Sequence, residues 1–396
     1  MKEIGLYIHI PFCKSKCYYC DFISFANKET CQKEYIEAVI KEIRHADLRK
    51  YNISTLYIGG GTPSILDSKY IARIINEIKS VGVTSSRPCF EEHAIANVGA
   101  SIARPNTEIT IEINPGTVDR EKLQIYKEAG INRLSIGLQS TDDTLLKEIG
   151  RIHKYEDFLK VFNEAREVGF KNINVDLMLG LPNQTIEILE DSVKKVIELN
   201  PEHISIYSLI LEEGTKLYDM VKSERLTLPG EELERKMYWK VKEMLEKSGY
   251  IHYEISNFAK EGYVSKHNSD CWKQKEYIGI GAAAHSYLND TRYSNKESLE
   301  EYVSNINDDS FDKNIIIHER QTTESKQKEY MLLGLRKLEG VSIREFKNKF
   351  GQNPIFIYHK ELEKLVNEEL LEVDGDDIRL TDKGLDLANL VWEEFV

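Results

Sequence analysis

Along the first half of the chain, short apolar runs with a period of two alternate with longer stretches whose apolar positions recur every three or four residues. The period-two runs are LYIHI (6–10), TLYIG (55–59), EITIEIN (108–114), RLSIGLQ (133–139), NINVDLML (172–179) and HISIYSLI (203–210). Between them lie helical patterns such as KEYIEAVIKEIRHA (33–46), DREKLQIYKEAG (119–130), YEDFLKVFNEAREVG (155–169) and TIEILEDSVKKVIELN (185–200). Strand and helix in alternation at this spacing predict repeated βα units and a parallel sheet. Six strands fit either an open doubly wound sheet or an incomplete barrel.

The strand faces choose between the two. In EITIEIN, Ile109, Ile111 and Ile113 share one face and Thr110, Glu112 and Asn114 the other. Leu134, Ile136 and Leu138 likewise oppose Ser135, Gly137 and Gln139, and Ile173, Val175 and Leu177 oppose Asn174 and Asp176. A sheet covered by helices on both faces calls for near-continuous apolar strands. One apolar and one polar face instead predict an α/β fold with an incomplete (β/α)6, TIM-like barrel whose polar lining surrounds a cavity. Residues 82–106 carry no clear period and read as an excursion between the second and third strands. The polar, Asn/Asp-rich segment 287–325 reads as an exposed connection. From residue 324 the pattern turns to helices (EYMLLGLRKLEG, SIREFKNKFG, HKELEKLVNEELL), a hairpin at EVDGDDIRLTD and a last helix, a winged-helix-like arrangement. The expected organisation is a barrel over 1–230, an extension over 231–323 and a C-terminal domain over 324–396.

Composition narrows the picture further. A chain of 396 residues with 41% apolar residues can bury a large core, and its net charge of −13 argues against nucleic acid as the main partner. No apolar run approaches the ~20 residues that cross a bilayer, and no leader-like segment opens the sequence, so a cytoplasmic protein is expected. Six cysteines, three clustered and the others at positions 31, 89 and 271, do not make a disulfide framework.

The cluster carries the chemistry. Cys13, Cys17 and Cys20 follow the first strand as C-x3-C-x2-C. Thiolates so spaced reach three corners of an iron–sulfur cube, whereas structural zinc would call for a fourth Cys or His nearby. Three ligands leave one iron open to an exogenous group. Glycines at the end of the next strand, in GGGTP (59–63), let the backbone approach a ligand closely.

With Tyr19 before the last cysteine and GGGTP one βα unit later, the loop resembles that of the radical S-adenosylmethionine (SAM) superfamily. The resemblance implies a 4Fe-4S cluster on Cys13, Cys17 and Cys20, with SAM chelating the open iron and yielding a 5′-deoxyadenosyl radical on reduction. YIHIPFC, GGGTPS, ITIEINPGT, LSIGLQS and DLMLGLPNQT further resemble the oxygen-independent coproporphyrinogen oxidase branch, along nearly the whole chain. Carried over residue by residue, that likeness assigns Tyr7, Gly60, Gly61, Thr62, Glu112, Gln139, Arg151 and Asp176 to SAM.

Two members of the branch compete. Oxidase-type members have another cysteine where this chain has Phe22, and extend well ahead of the motif; both differences point instead to the heme-chaperone type. Chaperone-type members carry HNxxYW, which here reads His267, Asn268, Cys271, Trp272, with cysteine in place of tyrosine. The resemblance makes His267 a heme contact; taken alone, the same residue reads as a hydrogen-bonded loop histidine. Cys271 adds a second heme-ligand chemistry, Tyr253 and Trp272 could flank a macrocycle, and His285 follows in GIGAAAHSY. The implied partners are a heme-acceptor protein, such as a respiratory enzyme, and an electron donor, with room for a peripheral membrane contact. The alternatives are coproporphyrinogen III decarboxylation or another radical SAM reaction on a tetrapyrrole.

Overall fold

A computed structural model describes residues 1–81 and 107–396; the predicted excursion at 82–106 lies outside them. All six predicted strands form: β1 (Lys2–Ile10), β2 (Tyr51–Gly60), β3 (Glu108–Ile113), β4 (Arg133–Gln139), β5 (Ile173–Leu179) and β6 (His203–Ser208). They lie side by side in chain order, every pair parallel. A doubly wound sheet would reverse its strand order at a switch point; sequential order is that of a barrel wall.

Each strand turns its apolar face outward, where Leu6, Ile8, Leu56, Ile58, Ile111, Leu134, Ile136, Val175 and Ile204 enter one continuous core. The helices α1 (Gln32–His45), α2 (Ser68–Val81), α3 (Arg120–Ala129), α4 (Asp143–Glu148), α5 (Tyr155–Val168) and α6 (Ile186–Leu199) follow the strands. Their ends obey local chemistry. Asp119 caps α3 through the Lys122 amide, and Gly130 ends it at φ 103°; Thr185 caps α6, which ends at left-handed Asn200.

Beyond β6, the chain forms α7 (Lys216–Lys222), α8 (Glu231–Lys247), β7 (Ile251–Glu254), β8 (Asn257–Ala259), α9 (Lys266–Trp272), β9 (Tyr277–Ile280), β10 (His285–Leu288), β11 (Thr291–Asn295), α10 (Leu299–Asn307) and β12 (Ile315–Arg320). The sheet runs β12-β11-β10-β9-β1-β2-β3-β4-β5-β6-β8-β7 and does not close. β9 joins β1 in parallel, and the outer strands on both flanks are antiparallel.

Segment 287–325 is therefore not a mere connection. It supplies two strands and α10, whose Leu299, Tyr302, Val303 and Ile306 are buried. Its Asn and Asp residues cap and turn these short elements, and that is the composition that made it read as loop.

A second core forms around Tyr330, Met331, Phe346, Leu362, Leu365 and Ile378. It contains α11 (Thr323–Gly334), further short helices, and a small sheet in which Asp377–Leu380 lies between Val341–Ser342 and Leu371–Asp374. Helices with a hairpin wing match the arrangement expected for the C-terminus. No helix among the described residues is long and apolar enough to cross a membrane.

Candidate functional site

The cysteine loop leaves β1 at Ile10. Phe12–Cys13 pairs with Phe25–Ala26, closing a loop that holds Cys17 and Cys20. A turn from the Cys20 amide to the Cys17 carbonyl (3.2 Å) sets their spacing, and Tyr18 ties the loop to the Ile149 carbonyl and the Leu217 amide. Burial pushes the Cys20 thiol up to about 11, and Cys17 and Cys13 add to the shift, which puts the three sulfurs in one neighbourhood. Among the described residues no three His, Cys, Asp or Glu side chains converge on a single ion.

The glycines of GGGTP face this loop. A Cβ on Gly61 would stand 2.8 Å from the Phe12 carbonyl oxygen and 3.0 Å from Cys13 Sγ, and one on Gly60, at φ 115°, 2.7 Å from the His9 ring. Thr62 Oγ1 lies 3.6 Å from Cys13 Sγ and accepts from Asn114 Nδ2 (3.3 Å). Arg151, from the turn after α4, donates to Cys17 Sγ (3.4 Å), the Gly137 carbonyl (2.5 Å) and Asn114 Oδ1. Gln139 ends β4 at φ 72°, where the register with β5 slips. A bulge with a non-glycine residue in the left-handed region re-aims a side chain at a cost, a device that concentrates at functional sites.

Below this mouth lies the polar lumen. Tyr57 Oη (2.8 Å) and the Gly60 amide (3.1 Å) donate to the two Glu112 oxygens, and burial raises the Glu112 pKa to about 7. Asp176 accepts from Asn174 Nδ2 (2.7 Å) and Ser135 Oγ (3.2 Å), and burial raises it too. Tyr7 donates to His9 Nδ1 (2.9 Å). That tautomer follows because His9 Nε2 must donate to the Ile23 carbonyl (3.0 Å), and burial lowers the ring to about 4. Tyr207, near the end of β6 on its inner face, is nonetheless 40% exposed, so the mouth opens to solvent there.

The eight residues matched to SAM thus line the mouth and the lumen below it. His267 does not join them. It sits at the opposite end, where α9 plugs the barrel: Glu108 accepts from the Lys266 and His267 amides at the start of the helix. The His267 side chain enters the lumen floor, 8% exposed, its Nδ1 2.9 Å from Thr55 Oγ1 and its ring stacked on Tyr57 at 5.1 Å. Burial lowers it to about 4. Its neighbours divide. Burial pushes the Cys271 thiol up to about 12, Trp272 packs under the Arg336 guanidinium, and Tyr253 reaches His203. Tyr253 and Trp272 thus do not form a sandwich. His285 begins β10 and stacks on His318. The sequence reading placed Asn114 on the polar face but passed over His9, Arg133 and His203, although the period of two sets them on or just beyond that face.

A model of the radical SAM superfamily matches residues 7–196, and one of the HemN C-terminal domain matches 322–387. A protein of Bacillus subtilis (strain 168) named heme chaperone HemW is 39% identical over 98% of both chains. A protein of the same name from Lactococcus lactis (strain IL1403) is 35% identical over 100% of this chain and 98% of its own. In Escherichia coli, the radical SAM enzyme coproporphyrinogen III oxidase HemN has the same fold: TM-score 0.81 and 22% identity, over 100% of this chain and 90% of that one. With its cysteine loop, glycine turn and polar lumen in one partial barrel and near full-length identity of this order, the chain belongs to the HemW family of the radical SAM superfamily.

Proposed function

We propose that the chain is a cytoplasmic heme chaperone that carries a SAM-ligated 4Fe-4S cluster at the barrel mouth, binds heme and hands it to an acceptor protein. The observation that carries this reading is the 39% identity to a heme chaperone over 98% of both chains. Phe22 supports it: where oxidase-type relatives place a further thiol, this side chain cannot ligate iron and stands 66% exposed. The working units are the barrel of 1–230, the extension of 231–323 and the winged-helix-like domain of 324–396.

Cys13, Cys17 and Cys20 would hold three irons. Gly60, Gly61 and Thr62 offer close backbone approach to the methionine end of SAM. Arg151 suits its carboxylate, while Tyr7, Glu112, Gln139 and Asp176 offer hydrogen-bonding groups to its ammonium and hydroxyls. When bound, the cluster supplies one electron to the SAM sulfonium, drawn from an external donor. His267 is the proposed heme contact: with Nδ1 at Thr55, its Nε2 makes no hydrogen bond among the described residues. A ring fixed through one nitrogen, with the other facing the metal, is the usual arrangement for a ligating histidine.

The test uses anaerobically reconstituted full-length protein, given heme, SAM and coproporphyrinogen III in separate assays. Heme binding that weakens in His267→Ala, with no decarboxylated product, is expected; rapid decarboxylation by the wild type would overturn the chaperone reading. Cys17→Ala should abolish the iron–sulfur absorption, and a full cluster in that variant would overturn the ligand set.

A further inference from the structure

Arg133 begins β4 on its inner face. In register it lies beside Thr110, which lies beside Tyr57, which lies beside Tyr7, so the four form one row around the lumen. The side chain is 2% exposed and among the largest fully buried in the molecule. Guanidinium is charged at every physiological pH and is never buried without cost unless paired. Yet among the described residues no hydrogen bond or ion pair reaches the Arg133 side chain. Its Nε and the adjacent Thr110 Oγ1 are both sealed from solvent without a partner.

Most other polar groups of the wall are held by one another. Glu112 is held by Tyr57 and the Gly60 amide, and Asp176 by Asn174 and Ser135. Asn174 Oδ1 accepts from His203 Nδ1 (2.6 Å) and Ser205 Oγ (3.1 Å); His203 Nε2 therefore accepts from the Tyr253 hydroxyl (2.8 Å). Glu108, the acid at the outer end of β3, is committed to the α9 amides. Glu112 and Asp176 lie within electrostatic reach of Arg133, but among the described residues neither hydrogen-bonds to it, so one guanidinium and one hydroxyl are left without acceptor oxygens from the wall.

We propose that the lumen floor is a carboxylate subsite, in which Arg133 and Thr110 donate hydrogen bonds to a propionate arm of the bound tetrapyrrole. This rests on the heme-binding reading above and adds to it which end of the macrocycle enters the barrel. A planar fork of donors prefers a carboxylate over a neutral ester, so selectivity for the free acid is the signature.

The experiment measures heme and heme dimethyl ester binding to the reconstituted wild type, R133M and R133K. The wild type should bind the free acid about ten- to a hundredfold more tightly than the diester, as a charge-assisted hydrogen bond implies. R133M should lose that preference and R133K keep part of it, with cluster absorption unchanged in both. Equal affinity of the wild type for the two porphyrins overturns the subsite without reference to any variant, as does full preference surviving in R133M. If the wild type binds neither porphyrin, the heme reading itself fails. The subsite then stands or falls on sodium propionate as probe, which must raise the melting temperature of the wild type and not of R133M.

Discussion

Gly137 works through the side chain it lacks. A Cβ there would come within 3.0 Å of Arg151 Nη2 and 3.1 Å of Gln139 Nε2, so the inner face of β4 is hollowed to let both lie across it. G137A should displace the two together while leaving the outward core untouched. Because one charge-assisted hydrogen bond is worth about 1.5–3 kcal/mol, SAM affinity measured on the reconstituted protein should fall tenfold or more, with little change in melting temperature; unaltered affinity would separate Arg151 and Gln139 from SAM. Glu112 makes a second residue-scale test. Its pKa rises on folding from 4.5 to about 7, so its contribution to stability is fully present below pH 4.5 and is lost as pH rises through 7. The loss is at most about 3 kcal/mol, since solvent in the lumen screens it. Urea unfolding of E112Q should therefore show a flatter dependence between pH 5 and 7.5 than the wild type, with a residual slope from Asp176, which is shifted the same way.

At the scale of elements, the barrel's seventh position is filled by β9, and α1 fastens it. The Glu42 carboxylate accepts from Tyr302 Oη (2.6 Å), Asn295 Nδ2 (2.7 Å) and the Gly281 amide (2.9 Å), while Tyr35 bridges the His9 carbonyl and the Ala282 amide. Y302F removes one donor from a buried carboxylate and should cost about 1.5–3 kcal/mol in chemical unfolding; a change below ~0.5 kcal/mol would mean the network is not what holds α10 to the barrel. These elements also mark the limits of reading the sequence. The six wall strands and their polar inner face were legible because each apolar face meets helices and each polar face lines the lumen, so the period of two survives. β10 and β11 are four and five residues long, with polar residues among them, and no such period can develop. Ser298 and the three-and-four spacing of Leu299, Tyr302, Val303 and Ile306 do encode α10, but the surrounding Asn and Asp masked it. The cysteine loop was legible because its three cysteines are local in sequence. That His267 points inward from a plug at the far end of the barrel depends on Glu108, some 159 positions earlier, and no local pattern carries it.

At the scale of the whole molecule, the C-terminal unit meets the barrel at several places: Glu329 on α11 accepts from Arg292 Nε (2.7 Å) and Gln274 Nε2 (2.6 Å), and a turn at Arg336 reaches toward the lumen. Arg336 lies between the rings of Trp272 on α9 and Trp392 near the C-terminus, 4.5 and 4.9 Å from their centroids. Its carbonyl accepts from the Ile255 amide, and the Leu338 amide donates to the Tyr253 carbonyl, each at 3.1 Å. Tyr253 also closes the hydrogen-bond chain to His203 inside the barrel. Trp239 on α8 adds a separate anchor, donating to Asp386 at 2.7 Å. Because the C-terminal unit has its own core, loosening the turn should undock it rather than unfold it. Two cation–π contacts, each about 0.5–2 kcal/mol, are lost together in R336A, whereas R336K retains the charge. Calorimetry of R336A should resolve an early transition absent from the wild type, and limited proteolysis should cut near residue 321 before the barrel is attacked, with the iron–sulfur absorption of the reconstituted protein unchanged. R336K should behave between the two. A single transition in R336A, at the wild-type temperature, would place the coupling in the other contacts, Trp239 with Asp386 and Glu329 with Arg292 and Gln274, and W239F combined with E329Q would then be the variant that separates the units.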